Sequence, residues 1–359
     1  MGDLHVARRR RLGALIAEQD ADAALITRLV NVRYLTGLAS SNAALLVLAD
    51  GTARLATDGR YAGTAARVCP DVELLVERAV ALRLTALAAE GGMRRLAIEA
   101  HDVTVEHFAE LVAVDQGMGL PPLGRAVEEL RMVKDEAEID LLRRACEITD
   151  RAFAEVLGTV RPGMTEREVA VALERRMVDL GADGIAFESI VAAGPNGAIP
   201  HHSPGSRELR AGDLVTMDFG ALYGGYHADM TRTVALGSAA AWQREIYELV
   251  RRAQQAGVDA ALAGAETKAV DAAARDMISD AGYAEAFPHG LGHGVGLEIH
   301  EAPLLGSDKA GRLMDRVPIT SEPGVYLAGR GGVRIEDTLV VRADGPEPLT
   351  TTAKELLVI

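Results

Sequence analysis

"LVTMDFGALYGGYHADMTRTVAL", residues 214–236, sets β-branched and aromatic residues on both sides of the paired glycines Gly224 and Gly225. That is the pattern of a β-hairpin. Folded symmetrically about Tyr223 and Gly224, the stretch puts Asp218 opposite Asp229 and Thr216 opposite Thr231 on one sheet face, where directly opposed Cβ atoms stand about 4.5–5.5 Å apart. Aspartate is disfavoured in strands, and opposed like charges repel. A single aspartate here reads as a solvated surface residue. Two in opposed register bring in a second reading, a cation held between them.

A second stretch tips the balance toward the cation. In "ITSEPGVYLAGRGGVRIEDTL", residues 319–339, folding about Gly329 sets Glu322 opposite Glu336, with Pro323 and Gly324 as the places where that register can slip. Each hairpin then carries two acids. Between them lies "HGLGHGVGLEIH", residues 289–300, whose four glycines each disfavour helix by roughly 1 kcal/mol relative to alanine. The segment is strand or loop, and its glycines let another backbone or a ligand come close. Four carboxylates with an imidazole from this segment suit two divalent ions of the hard to borderline kind, manganese, cobalt or zinc. Paired ions about 3.5–4 Å apart hold a bridging hydroxide at neutral pH and polarise a carbonyl, which is hydrolase equipment. Arg334 stands two before Glu336 and shares its face, placed to orient the ligand carboxylates.

The regions around the hairpins read as helices. Asp135 with Glu138 and Thr165 with Glu168 form capping boxes, the first opening a long helix with apolar residues at Ile139, Leu142, Cys146, Phe153 and Leu157, the second a helix running to Gly181. "RRACEITDRAF" at Arg143 is echoed by "RRAQQAGVDAA" at Arg251, and "LERRMVDLGA" at Leu173 by "AARDMISDAG" at Ala273. The echo and the two acid-bearing hairpins together describe a duplicated half. Before residue 124 the pattern is α/β: Ala43 to Leu48 meets Arg54 to Ala56 across a turn, and Arg94 to Glu99 is a further strand. "MGLPPLG", residues 118–124, interrupts periodicity and marks a domain boundary.

The 359 residues are 48% hydrophobic and 25% charged, the composition of a soluble globular chain of about two domains. A formal charge of −14 opposes nucleic-acid binding, which draws on Lys and Arg against phosphate. Cys69 and Cys146 have neither CxxC spacing nor partners enough for a disulfide framework, which points to a reducing compartment. The basic start, Arg8 to Arg11, is followed by an apolar run that stops at Glu18, too short for a signal core or a membrane span. It reads as a surface helix, and the protein as cytoplasmic.

Taken together, "NVRYLTGLASSNAALLV", "TDGRY", "AIPHHSPG", "MDFGALYGGYHADMTRT", "HGLGHGVGLEIHEAP", "SEPGVY" and "GGVRIEDT" resemble the proline-specific metallopeptidases of the pita-bread fold, Xaa-Pro dipeptidase (prolidase) and aminopeptidase P, in their bacterial cytoplasmic form. "TGLASSN" departs from the family's "TGF-S-N" form. The resemblance implies an α+β chain: a smaller creatinase-type α/β domain at 1–124, then a pita-bread (creatinase/aminopeptidase) catalytic domain with pseudo-two-fold αβ halves at 125–359. It makes Asp218, Asp229, His293, Glu322 and Glu336 the ligands of two divalent ions, most often Mn(II), with Co(II) or Zn(II) as alternatives, and Asp229 and Glu336 the bridges. Creatinase, a relative that works without metal, lacks this full set, and methionine aminopeptidase usually lacks the first domain.

The same resemblance gives His201 and His300 to the scissile carbonyl and the oxyanion, His289 to the outer pocket, and Glu322 to proton transfer. His202 and His227 read instead as hydrogen-bonded structural or rim residues. The implied substrates are dipeptides or short peptides with proline second, the alternatives being an aminopeptidase P for longer chains or a non-catalytic peptide-binding protein. A homodimer is expected on the same ground, and no nucleic-acid or membrane partner. Arg330, in the second hairpin turn, is a candidate for a dipeptide's carboxylate.

Overall fold

The computed structural model describes residues 2–115 and 117–359. It divides between Arg131 and Met132 into two compact units. In the first unit a five-stranded sheet runs Glu73–Val76, Ala53–Thr57, Ala43–Leu48, Ala23–Ile26, Leu96–Ile98. The inner neighbours pair antiparallel and the two outer pairs are parallel. Ala43–Leu48 is apolar throughout and almost wholly buried, as a strand covered on both faces must be. The Pro121–Pro122 stretch lies inside this unit because it lines the sheet edge: Ile98 N donates to Pro121 O and Leu123 N donates back to Ile98 O. Proline accepts there without having to donate.

In the second unit the order helix, helix, hairpin occurs twice. Both expected capping boxes form, Asp135 with Glu138 and Thr165 with Glu168, and open the helices Glu136–Leu157 and Glu166–Asp179. Phe153 and Ile148 from one helix, Leu173 and Met177 from the other, and Val215, Met217 and Phe219 from the hairpin make one apolar core. The second half repeats this with helices Ala241–Ala260 and Thr267–Asp280, whose Ile246, Val250, Val270 and Ile278 pack against Ile319, Val325 and Leu339.

Two sheets carry the acids and the histidine segment. One runs Met230–Ala235, Leu214–Phe219, Ile190–Ala193; the other Glu301–Leu305, Gly292–Gly294, Val317–Ser321, Asp337–Val341, Glu347–Pro348. Segment 289–300 is strand only at Gly292–Gly294 and is otherwise bend and irregular backbone.

The first hairpin's register differs from expectation. Tyr223 pairs with Tyr226 and Asp218 with Thr231, not with Asp229. The turn is centred on both glycines, with φ of 60° at Gly224 and 88° at Gly225, the two positive values of a type I′ turn. A shift of two residues keeps every side chain on its face, and Asp218 and Asp229 still line one cavity. In the second hairpin Ser321 pairs with Asp337 and Gly324 with Arg334. That register is symmetric about Gly329 and brackets Glu322 and Glu336 without a slip.

Candidate metal centre

Threonines and one arginine draw the two hairpins together. Glu336 N donates to Thr231 O, and Thr231 Oγ1 donates to Glu336 Oε2 at 2.7 Å. Thr338 Oγ1 donates to Asp229 O at 2.7 Å, and buried Arg232 pairs with buried Asp337 at 2.7 Å. These bonds place the acids of one hairpin against those of the other. Oxygen and nitrogen atoms of Asp229, His293 and Glu336 all lie within 4.8 Å of one another, and Asp218 and Glu322 line the same cavity of about 540 Å³.

His293 comes in on the glycine strand. Its Nδ1 donates to Gly294 O at 2.9 Å, which leaves Nε2 as the free acceptor. Nε2 stands 3.5 Å from Asp229 Oδ2 and 3.4 Å from Glu322 Oε1. In the deprotonated state that a metal requires, these three atoms only accept hydrogen bonds, and two ligand atoms sharing one tetrahedral cation at about 2.1 Å would be separated by about 3.4 Å. The glycines permit the approach. A Cβ at Gly292 would lie 2.1 Å from Thr320 O, and one at Gly294 2.2 Å from Ala302 O.

Charge is left uncompensated as well. Burial, then Asp218 and Glu322, push the Asp229 carboxyl well above its usual range; burial, then Asp229 and Glu322, do the same to Glu336. Burial also raises Glu322, against the pull of His293 and Arg334. Asp218 Oδ2 accepts from Arg334 Nη2 at 2.6 Å, but its buried Oδ1 has no hydrogen-bond partner. An orphaned oxygen, an acceptor nitrogen and carboxylates turned on one another form a donor set that a pair of divalent cations fits.

The remaining expected residues divide into wall and scaffold. His201, His289 and His300 line the cavity. His300 lies edge-on to His293, ring centroids 4.4 Å apart, and burial, then His293 and His201, lower its pKa. Arg334 is 3% exposed and donates to Asp218, Thr231 Oγ1, Pro200 O and the Tyr326 hydroxyl. The Tyr326 hydroxyl lies 2.9 Å from His289 Nε2, while His289 Nδ1 lies 2.9 Å from Gly290 O. The hydrogen bonds therefore run one way, from Arg334 through Tyr326 to a neutral His289, whose pKa burial lowers to about 4. Arg330 is not in the cavity: it stacks 4.4 Å over the Trp242 ring. His227 bonds Gly296 O, and His202 bonds Glu166.

Sequence reasoning missed the residues that hold the histidine loops. Glu166, the first residue of its helix, is fully buried. It accepts from Ala193 N, Asn196, His202 and Gly205 N, and so fastens both ends of the loop that carries His201. The second half does the same with Asp271 and Arg275. Arg275 donates to Phe287 O and His289 O, and Asp271 accepts from Leu291 N. The i,i+4 spacing of that pair was visible in the sequence; its target was not. Lys134, also missed, forms a buried pair with Glu301 at 2.7 Å, next to His300. Glu166→Ala strands several buried donors and is expected to lower the unfolding free energy by about 2–5 kcal/mol. Urea unfolding checks it, and a neutral result removes Glu166 as a fastening point.

A further convergence of ligand-type groups, Glu99, His101 and Glu128, lies in the first unit. Both Glu99 oxygens already accept from Thr27 N, Arg28 N and Asn31, and Glu128 Oε1 from Arg28, Asn31 and His101. Nitrogen donors hold that cluster.

Comparison with known proteins agrees with this architecture. Residues 140–343 match metallopeptidase family M24, and residues 8–133 match the creatinase/prolidase N-terminal domain. The chain belongs to metallopeptidase family M24, and its α+β architecture is a creatinase-type N-terminal domain followed by a pita-bread domain. It is 42% identical over 70% of its length to the Xaa-Pro dipeptidase of Pyrococcus furiosus, of which 72% is covered. Among solved structures it is similar to the Xaa-Pro dipeptidase from Bacillus anthracis, with TM-score 0.95 and 35% identity over 99% of this chain and 100% of that one. It is also similar to the X-Pro aminopeptidase from Thermotoga maritima, with TM-score 0.90 and 35% identity over 98% and 99%.

Proposed function

We propose that this protein uses two divalent ions to hydrolyse the bond between an N-terminal residue and proline in dipeptides and short peptides. The observation that carries the reading is the buried meeting of four carboxylates and one imidazole in a cavity walled by four further histidines, His201, His202, His289 and His300. Asp218, Asp229, His293, Glu322 and Glu336 would hold the ions, with Asp229 and Glu336 shared, and Mn(II) is the first choice over Co(II) or Zn(II). When bound, the ions supply Lewis acidity and activate water at neutral pH.

The chain's own groups do the rest. Arg334 fixes Asp218 through its 2.6 Å bond. Glu322, with its raised pKa, takes the proton from the attacking water and delivers it to the prolyl nitrogen. His201 and His300 face the carbonyl oxygen and donate to it as its charge develops. Burial keeps His300 neutral at neutral pH, so it donates as an imidazole N–H. A prolyl amide has no N–H to recognise, and the apolar side chains of Phe187, Ile190 and Leu304 in the cavity lining meet the ring instead.

The reading extends to a homodimer in the cytoplasm. The buried free thiols Cys69 and Cys146 suit a reducing compartment, and no described helix is long and apolar enough to cross a membrane.

Metal-loaded protein should cleave Ala-Pro or Ala-Pro-Ala and spare Ala-Ala. A fully loaded protein that binds these peptides but cleaves none would make it a binding protein. His300→Ala should lower kcat by about a hundredfold with metal content unchanged. Metal loss in that variant would move His300 into the ligand set.

A further inference from the structure

A two-residue Xaa-Pro substrate carries its C-terminal carboxylate on the carbon next to the prolyl nitrogen, so whatever recognises that carboxylate shares a cavity with the reacting carbonyl. Among the described residues lining the cavity, two carry a permanent positive charge, Arg334 and Lys309. Arg334 is committed to Asp218, Thr231, Pro200 and Tyr326. The remaining charged members of the lining are the four converging carboxylates and Glu188, all of which repel another carboxylate.

Lys309 is in a different condition. Its side chain is 41% exposed, and its ion-pair partner is its chain neighbour Asp308, 2.9 Å away and 74% exposed. An exposed pair of this kind is weak and screened by solvent, so an incoming carboxylate exchanges with Asp308 readily. The backbone under Lys309 is held firmly. Its N–H donates to Gly306 O at 3.0 Å, and its carbonyl accepts from Thr267 Oγ1 at 3.3 Å. The stem lies across Gly306, where an added Cβ would come within 3.3 Å of Lys309 Cγ, and Gly306 itself sits against Gly290, beside His289. A fixed base with a weakly paired ammonium on a four-carbon stem is suited to capturing a charge at the mouth of a pocket.

We propose that Lys309 binds the C-terminal carboxylate of a two-residue substrate and biases the site toward dipeptides. The proposal rests on the Xaa-Pro reading of the same site. The test compares kcat/KM for Ala-Pro and Ala-Pro-amide in metal-loaded wild type, Lys309→Met and Lys309→Arg. Wild type should prefer the acid. Lys309→Met should lower that preference about tenfold, mainly through KM, and Lys309→Arg should retain most of it. Calorimetric binding of proline against prolinamide to the loaded protein should show the same loss without any turnover. Equal loss on acid and amide, or a preference unchanged in Lys309→Met, overturns the role of Lys309 and leaves the Xaa-Pro reading standing. A loaded wild type that cleaves neither substrate refutes both.

Discussion

Glu336→Ala is expected to lower kcat/KM on an Xaa-Pro dipeptide by on the order of a thousandfold or more, with bound divalent metal well below the wild-type content. Asp229→Ala should behave alike. Both carboxylates are nearly inaccessible to solvent and both face the others across the hairpin junction, so neither can be replaced by water without reopening the site. The metal-free proteins should move the other way. In wild type, burial and the neighbouring acids disfavour ionisation of Glu336, and removing one member relieves that repulsion. Metal-free Glu336→Ala should therefore melt above metal-free wild type, and the metal-loaded variant below loaded wild type. Atomic absorption, a peptidase assay and paired melting curves give the answer, and a fully active variant with full metal content ends the assignment.

The stability added by metal should shrink as pH falls from about 8 to 5. Asp229, Glu322 and Glu336 have folded-state pKa values raised above their unfolded ones. Between the two values the metal-free native state holds more protons than the unfolded chain, so its stability rises as pH falls, by up to about 1.4 kcal/mol per pH unit for each proton. A metal held by these groups would require them deprotonated, so protons would compete with it as pH falls. His289 acts oppositely: lowered to about 4 when folded, it stays neutral while the unfolded chain takes up a proton below about 6.5. Because His289 occurs in both forms, its contribution cancels in the difference between loaded and stripped melting temperatures. A gap that stays constant or widens in acid contradicts the shared-ligand arrangement.

What the sequence made legible was whatever depends on near neighbours. The two capping boxes need only residues three apart, and both helices start where the sequence reading places them. The second hairpin's register followed from a single turn glycine. The first was misjudged by two residues because Gly224 and Gly225 both take positive φ and centre the turn between themselves. The acids stayed on the expected face all the same, since side-chain direction repeats every two residues. Contacts bridging distant segments left no trace in spacing. Nothing about Glu166 announces that it binds Ala193, Asn196, His202 and Gly205, and nothing in the turn sequence around Arg330 announces that its guanidinium stacks over Trp242.

The glycine strand fixes where this site can diversify. With Leu305 O 2.4 Å from any Cβ at Gly290, Thr320 O at 2.1 Å for Gly292 and Ala302 O at 2.2 Å for Gly294, three alternate positions of the segment reject all nineteen alternatives, and His293, between the last two, cannot be re-aimed by changing a neighbour. Point mutation is thereby channelled to the mouth, around Leu304 and Lys309. Laboratory evolution of this scaffold should keep its chemistry while drifting in which peptide it prefers.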